Sequence, residues 1–295
     1  PEGPVAMPDG STVLVEIERR TLSRVTPDGK IRVIANLGGG PNGAAMGPNG
    51  KIYVTNNGGL KFIDRPGKLF PVAQADDYTT GSIQIVDPET GKFETLYDRC
   101  DGRRLNGPND LVFDGAGGFW FTDLGKTRER DSDRGVVYYA KADGSMIKEA
   151  IFPLERPNGI GLSPDEKTLY VVETPTARCW SFTVSAPGEI DSANGPYRGE
   201  KGKVVAGLPG YQMFDSLAVD GEGHVCAATL ITGAVSDIWP DGSRVDQYML
   251  PDMMVTNVCF GGPGLRTAYA TLSMGGTLVS FEWPRAGLPL RYLNR

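Results

Sequence analysis

The chain has 295 residues, with 30 Lys+Arg against 36 Asp+Glu for a formal charge of −6, and 40% of it is hydrophobic. That apolar share excludes wholesale disorder, and an acidic chain without a long basic run has no electrostatic footprint for nucleic acid or an anionic membrane. No apolar stretch approaches the roughly 18 residues of a spanning helix, Pro1–Gly10 lacks a signal-peptide layout, and four scattered cysteines form no CxxC pair, so a cytoplasmic, thiol-reduced protein is expected. Any triad or dyad needing histidine would have to use His224, the single one in the chain.

Forty glycines and 22 prolines imply many turns between short strands, and the strands recur in six copies. The first runs from Glu2-Gly3-Pro4 through the turn Pro8-Asp9-Gly10 to Val13-Leu14-Val15. The second has Gly40-Pro41-Asn42-Gly43, a turn at Pro48-Asn49-Gly50 and Ile52-Tyr53-Val54-Thr55. The third has Gly107-Pro108-Asn109-Asp110, a turn at Asp114–Gly118 and Phe119-Trp120-Phe121-Thr122. The fourth has Pro157-Asn158-Gly159 and Leu169–Val172, the fifth Phe214-Asp215-Ser216 and Val225-Cys226-Ala227, the sixth Thr256-Asn257-Val258 and Ala268-Tyr269-Ala270. With further outer-strand turns such as Thr26-Pro27-Asp28-Gly29, each copy holds four strands. Four strands in each of six copies predict an all-β, six-bladed β-propeller with antiparallel blades around a central channel, one domain over 1–295.

The topology puts the start of every innermost strand on one rim. Those starts are Glu2, Asn42, Asn109, Asn158, Asp215 and Asn257, each 11 or 12 residues before a matching residue of the second strand. All six are acidic or amide residues, hard oxygen donors suited to Ca²⁺, Mg²⁺ or Mn²⁺; Asn-Gly and Pro-Asn also make turns, which would account for Asn42, Asn109 and Asn158 but not for Glu2 and Asp215. The second-strand ends Asn56, Asp123 and Glu173 fall on the same rim. So do two insertions, Asn57–Thr80 and Leu124–Arg134, expected to act as a lid. His224, beside a turn on the far side, is expected to be a surface imidazole, and the cysteines to be small core residues.

The segments Glu2-Gly3-Pro4, Asn106–Asp110 with Phe121-Thr122-Asp123, Pro157-Asn158-Gly159 with Ser163-Pro164-Asp165, and Asp215–Asp220 resemble the senescence marker protein/gluconolactonase/luciferin-regenerating family. The resemblance spans the chain, and its motifs come in the family's order. It implies a propeller lactonase with one divalent ion in the channel, Ca²⁺ first, with Mg²⁺, Mn²⁺ or Zn²⁺ as alternatives. The implied ligands are Glu2, Asn109, Asn158 and Asp215. Asn109 and Asp110 are implied substrate contacts, and Asp215 or Asp110 the base that takes a proton from water. Arg104 and Asp123 join the expected substrate-binding set by their place near this motif. The expected partner is a small lactone, with no nucleic acid or membrane, in a monomer or weak homo-oligomer. Two other readings are a phosphotriesterase resembling diisopropyl fluorophosphatase, in which Asp215 would attack phosphorus, and a non-catalytic Ca²⁺-stabilised binding module.

Overall fold

The computed structural model describes residues 1–191 and 202–295. Each repeat forms its own antiparallel sheet, with strands laid down in chain order. The first strands are Glu2–Ala6, Pro41–Met46, Pro108–Phe113, Pro157–Leu162, Met213–Val219 and Val255–Gly261. Each touches the next, and the sixth touches the first, so they close a ring around the channel. This is a six-bladed β-propeller. The expectation of four strands per blade fails in the sixth, where the sheet has three strands among the described residues. After Glu282 the chain reads Trp283-Pro284, and proline cannot donate to a ladder. The tail crosses the opposite face instead: Leu288 N–H donates to Val219 O at 3.2 Å, and Tyr292 stands edge-on to Phe113 with centroids 5.1 Å apart.

The core lies between blades. Because each sheet is covered on both faces, its second strand is largely apolar and buried, as in Gly118–Asp123, where every residue is buried and only Thr122 and Asp123 at the rim end are polar. Phe119 and Phe121 of the third blade pack with Tyr53 and Ile83 of the second. Trp120 turns the other way, towards Ile160 and Leu169 of the fourth. The period of two thus feeds two interfaces from one strand. The first and last blades approach so closely that a Cβ on Gly261 would lie 2.4 Å from the Cβ of Ala6.

The detail that positions the rim recurs in every blade. Pairing between first and second strands shifts register between Glu2 and Val5, Pro41 and Gly43, Pro108 and Leu111, Pro157 and Ile160, Phe214 and Leu217, and Val255 and Asn257. Such breaks in register, as at a β-bulge, bend a strand and re-aim side chains. The six oxygen-bearing residues lie at or within these breaks.

Candidate active site

The bulged mouth opens into a cavity of about 1080 Å³ whose walls include Glu2, Asn42, Asn109, Asn158 and Asp215. That is at the upper end of the range for small-molecule sites. Both insertions border it. Asn57–Thr80 contains a separate hairpin, Leu60–Arg65 with Lys68–Gln74, whose Phe62, Leu69, Pro71 and Val72 face the cavity. Leu124–Arg134 contributes Leu124 and Lys126 to the wall.

Glu2 is buried and its Oε2 accepts Gly3 N–H at 2.9 Å and Asn257 Nδ2–H at 3.0 Å. Asn109 is held through its carbonyl, which accepts Thr55 Oγ1–H at 2.5 Å from the preceding blade, while its buried side-chain Oδ1 has no hydrogen-bond partner. Thr122 fixes Asn158 in the same way, Oγ1 to carbonyl at 2.5 Å, and Asn158 Nδ2 donates to Thr174 Oγ1 at 3.0 Å. Second-strand threonines of the second and third blades therefore lock the next blade's amide. Burial pushes Asp215 well above the ordinary carboxylate range, with the Glu2 and Asp110 charges adding to the push and Arg156 opposing it. Burial also raises Glu2, and raises Asp110 to about 7.

Three buried carboxyls, of which Glu2 raises the other two and Asp110 also raises Asp215, converge with a buried amide oxygen that has no donor. An orphaned buried oxygen costs free energy unless something satisfies it. The residues present therefore fit a hard divalent ion, with Glu2, Asn109, Asn158 and Asp215 the residues that would hold it.

Other expected contacts are not brought to the cavity. Asp110 is not among the residues lining the cavity; its Oδ1 accepts the N–H of Leu111 at 2.9 Å. Asp123 is buried with its carboxylate taken by the N–H groups of Asn106 (2.7 Å), Gly107 (2.7 Å) and Gly125 (2.9 Å). It has the work of Asn56, whose Oδ1 accepts Gly40 and Gly58 N–H, and of Glu173, which accepts Glu155 N–H. These second-strand ends pin the loops that enter and leave their blades. Arg104 is exposed and donates to Thr79 O at 3.1 Å, away from the cavity wall.

Two cations that the sequence reading did not single out do reach the wall. Lys126 is 4% exposed, donates to Gly59 O at 3.3 Å and has its Nζ 4.7 Å from the centre of the Tyr78 ring. Burial lowers it to about 8. Arg156 precedes Pro157 with φ +51, a left-handed conformation rare for a side-chain-bearing residue. Its repeat position, two before Asn158, is the signal that could have flagged it.

His224 is not a surface imidazole. It is buried, with Nδ1 2.8 Å from Asp237 Oδ1, and Arg285 from the tail reaches Asp220 at 2.5 Å and Asp237 at 2.6 Å. Asp220, His224 and Asp237 have potential ligand atoms within 4.8 Å of one another, the arrangement of a possible metal cluster. The guanidinium already supplies the positive charge there, so the cluster reads as an ion-paired clasp between the tail and the fifth blade. All four cysteines are buried and free. No helix among the described residues is long and apolar enough to cross a membrane.

The fold and the oxygen-lined mouth define the class: six-bladed β-propellers with a cavity at one end of the channel. The chain belongs to the SMP-30/gluconolactonase/LRE-like family, whose model matches residues 1–274. It is 29% identical to a gluconolactonase of Zymomonas mobilis over 288 residues, covering 89% of this chain and 73% of that protein. It is 27% identical to the pentonolactonase XacC of Haloferax volcanii, covering 93% and 81%, and 27% identical to the diisopropyl-fluorophosphatase of Loligo vulgaris, covering 69% and 66%. A solved structure described as a putative gluconolactonase superposes with a TM-score of 0.73 at 25% identity, over 97% of this chain and 89% of that one. These relatives support a lactone-hydrolysing function.

Proposed function

We propose that the protein is a divalent-metal-dependent hydrolase that opens a lactone ring, acting in a reducing compartment on a small-molecule substrate. The observation that carries this is the buried, partnerless Oδ1 of Asn109 on the same rim as Glu2, Asn158 and Asp215. When bound there, a divalent ion, Ca²⁺ in the first instance, supplies Lewis acidity to the lactone carbonyl and lowers the pKa of water. Asp215 takes the proton from the attacking water and returns it to the ring oxygen as the acyl C–O bond breaks, leaving a hydroxy acid. The Asn109 amide donates to the oxyanion that develops at the carbonyl. Asp110, which does not line the cavity, acts through its charge on Asp215 and not by contact with water.

The test is calorimetric titration of metal-stripped protein, then a lactone panel with Ca²⁺, Mg²⁺, Mn²⁺ and Zn²⁺. Asp215→Asn should weaken metal binding and also lower kcat by roughly 10²–10⁴-fold at saturating metal. Full recovery at saturating metal would make Asp215 a metal ligand only and leave the metal-activated water without a protein base. No hydrolysis of any lactone would sink the enzyme reading in favour of a Ca²⁺-stabilised binding module. The diisopropyl-fluorophosphatase relative favours one second reading, attack of Asp215 on phosphorus; organophosphate turnover faster than that of every lactone would support it.

A further inference from the structure

Lys126 and Arg156 stand in the cavity wall without a carboxylate within 4.0 Å among the described residues, although the chain as a whole is acidic. Nearby carboxylates are engaged elsewhere: Asp123 holds three backbone N–H groups, and Asp133 pairs with Arg128 at 2.7 Å and takes the N–H of Lys126 at 3.1 Å. Arg156 spends one nitrogen on Thr127 Oγ1 at 2.6 Å, and its buried Nε has no partner. The opposite wall differs. Glu16 and Glu18 of the first blade line it, with Glu16 bonded to Thr21, Ser23 and Arg19. Arg19 on that side pairs with Glu16 at 2.9 Å, and Glu129 joins Lys126 and Arg128 on the other, so Lys126 and Arg156 are the wall cations that are buried or half-buried without an ion pair among the described residues.

Burying positive charge without a close partner costs free energy, which the more distant Asp123, Asp133 and Asp215 offset only in part and an arriving anion would offset further. We infer that Lys126 and Arg156 form an anion subsite, so that the substrate is a lactone carrying a carboxylate or similar compact anion rather than a neutral sugar lactone. The inference rests on the lactonase reading for the word lactone, but on the two cations alone for the charge. The guanidinium keeps a nitrogen that Thr127 does not take, which can donate to a carboxylate, and the lysine adds a point charge. If the pair merely braced the lid, the enzyme would be indifferent to substrate charge.

The experiment compares kcat/KM of the metal-loaded protein for an aldarolactone, which bears a carboxylate, and the aldonolactone of the same ring, which bears an alcohol there. The expected preference is on the order of 10–100-fold for the anion, and it should shrink as salt is raised. Lys126→Met and Arg156→Gln should each lower that ratio, whereas Lys126→Arg should keep most of it. A phosphorylated lactone run alongside tells a carboxylate from a phosphate site. Calorimetry with uncleavable rings, a cyclopentanone carboxylate against its carboxamide, reads the subsite without turnover. If both lactones are cleaved equally and the two rings bind alike, the inference fails while the lactonase reading stands. If neither lactone is cleaved yet the carboxylate ring binds more tightly through Lys126, the lactonase reading falls and the anion subsite stands.

Discussion

Asn257 of the sixth blade donates from Nδ2 to Glu2 Oε2 of the first at 3.0 Å, joining residues 255 positions apart. Asn257 Oδ1 accepts the N–H of Val258 at 2.8 Å, which fixes the orientation of the amide. One bond therefore links closure of the ring to the placement of a candidate metal ligand. Partners that orient a ligand typically carry 10–100-fold in metal affinity. Asn257→Ala should weaken divalent-metal binding by about that much, measured by calorimetry, and lower the melting temperature. Unchanged affinity would mean that Glu2 is held by Gly3 and the strand alone.

The carboxyls at the mouth set the pH dependence of the metal-free protein. Burial, reinforced at Asp110 and Asp215 by neighbouring carboxylates, raises Glu2, Asp110 and Asp215 above their unfolded values. The folded state then binds protons that the unfolded chain has lost, so these groups stabilise the fold below about pH 4 and that contribution fades as pH rises towards about 7. A bound cation reverses the penalty by stabilising the charged forms. The rise in melting temperature on adding Ca²⁺ should therefore grow from pH 5 to pH 8. A rise that is flat or shrinking over that interval would count against ion binding by these residues.

Asp123 and Arg104, paired by the sequence as substrate contacts, should part company in measurement. Asp123→Ala would leave three backbone N–H groups without their acceptor, two of them in buried surroundings. At ~1–3 kcal/mol for an orphaned buried group, a loss of about 3 kcal/mol or more in denaturant unfolding is expected. Arg104→Ala, at an exposed site, should stay within about 0.5 kcal/mol and leave KM unmoved. A raised KM for Arg104→Ala would restore it to the binding site.

The blade count and the shared rim were legible because both are periodic: turn residues and apolar pairs recur at fixed offsets, and a propeller repeats its geometry along with its sequence. Glu2, Asn109, Asn158 and Asp215 reach one cavity for that reason. What failed was whatever breaks the period. His224 looked exposed because it lies beside a turn, but its ring packs against Trp239 and bonds Asp237 of its own blade, and the aperiodic tail then brings Arg285 onto Asp220 and Asp237. Asp123 carried a functional residue type at the right rim, but side-chain direction depends on where the loop N–H groups lie. Asn56 and Glu173, at the same place in adjacent repeats, already hinted at a shared structural task. Lys126 was hidden in an insertion rich in both charge signs, and Arg156 at a blade entry was marked only by its place two residues before Asn158; the folded wall is what distinguishes both from solvated charge.

The hairpin Leu60–Arg65/Lys68–Gln74 pairs only with itself, and none of its residues is fully buried. It is anchored at its base by Lys61 with Asp76 at 3.0 Å, Arg20 with Asp77 at 2.5 Å, and Tyr78 Oη–H to Asn106 O at 2.9 Å. Exposed pairs of this kind add little stability, so the hairpin should be dispensable for folding. Its apolar side chains Phe62, Leu69 and Val72 nevertheless form part of the cavity wall. Replacing Lys61–Ala73 by an Asn-Gly turn should therefore leave the melting temperature nearly unchanged. Losing contact with one or two apolar side chains, worth ~1.5–3 kcal/mol each when fully buried, should lower kcat/KM for an alkyl-substituted lactone on the order of 10-fold or more. A polyhydroxylated lactone of the same ring should lose far less. Equal losses for both lactones at unchanged stability would show that the hairpin serves to exclude water and does not read the substrate, and a collapse in melting temperature would show that it packs the second blade.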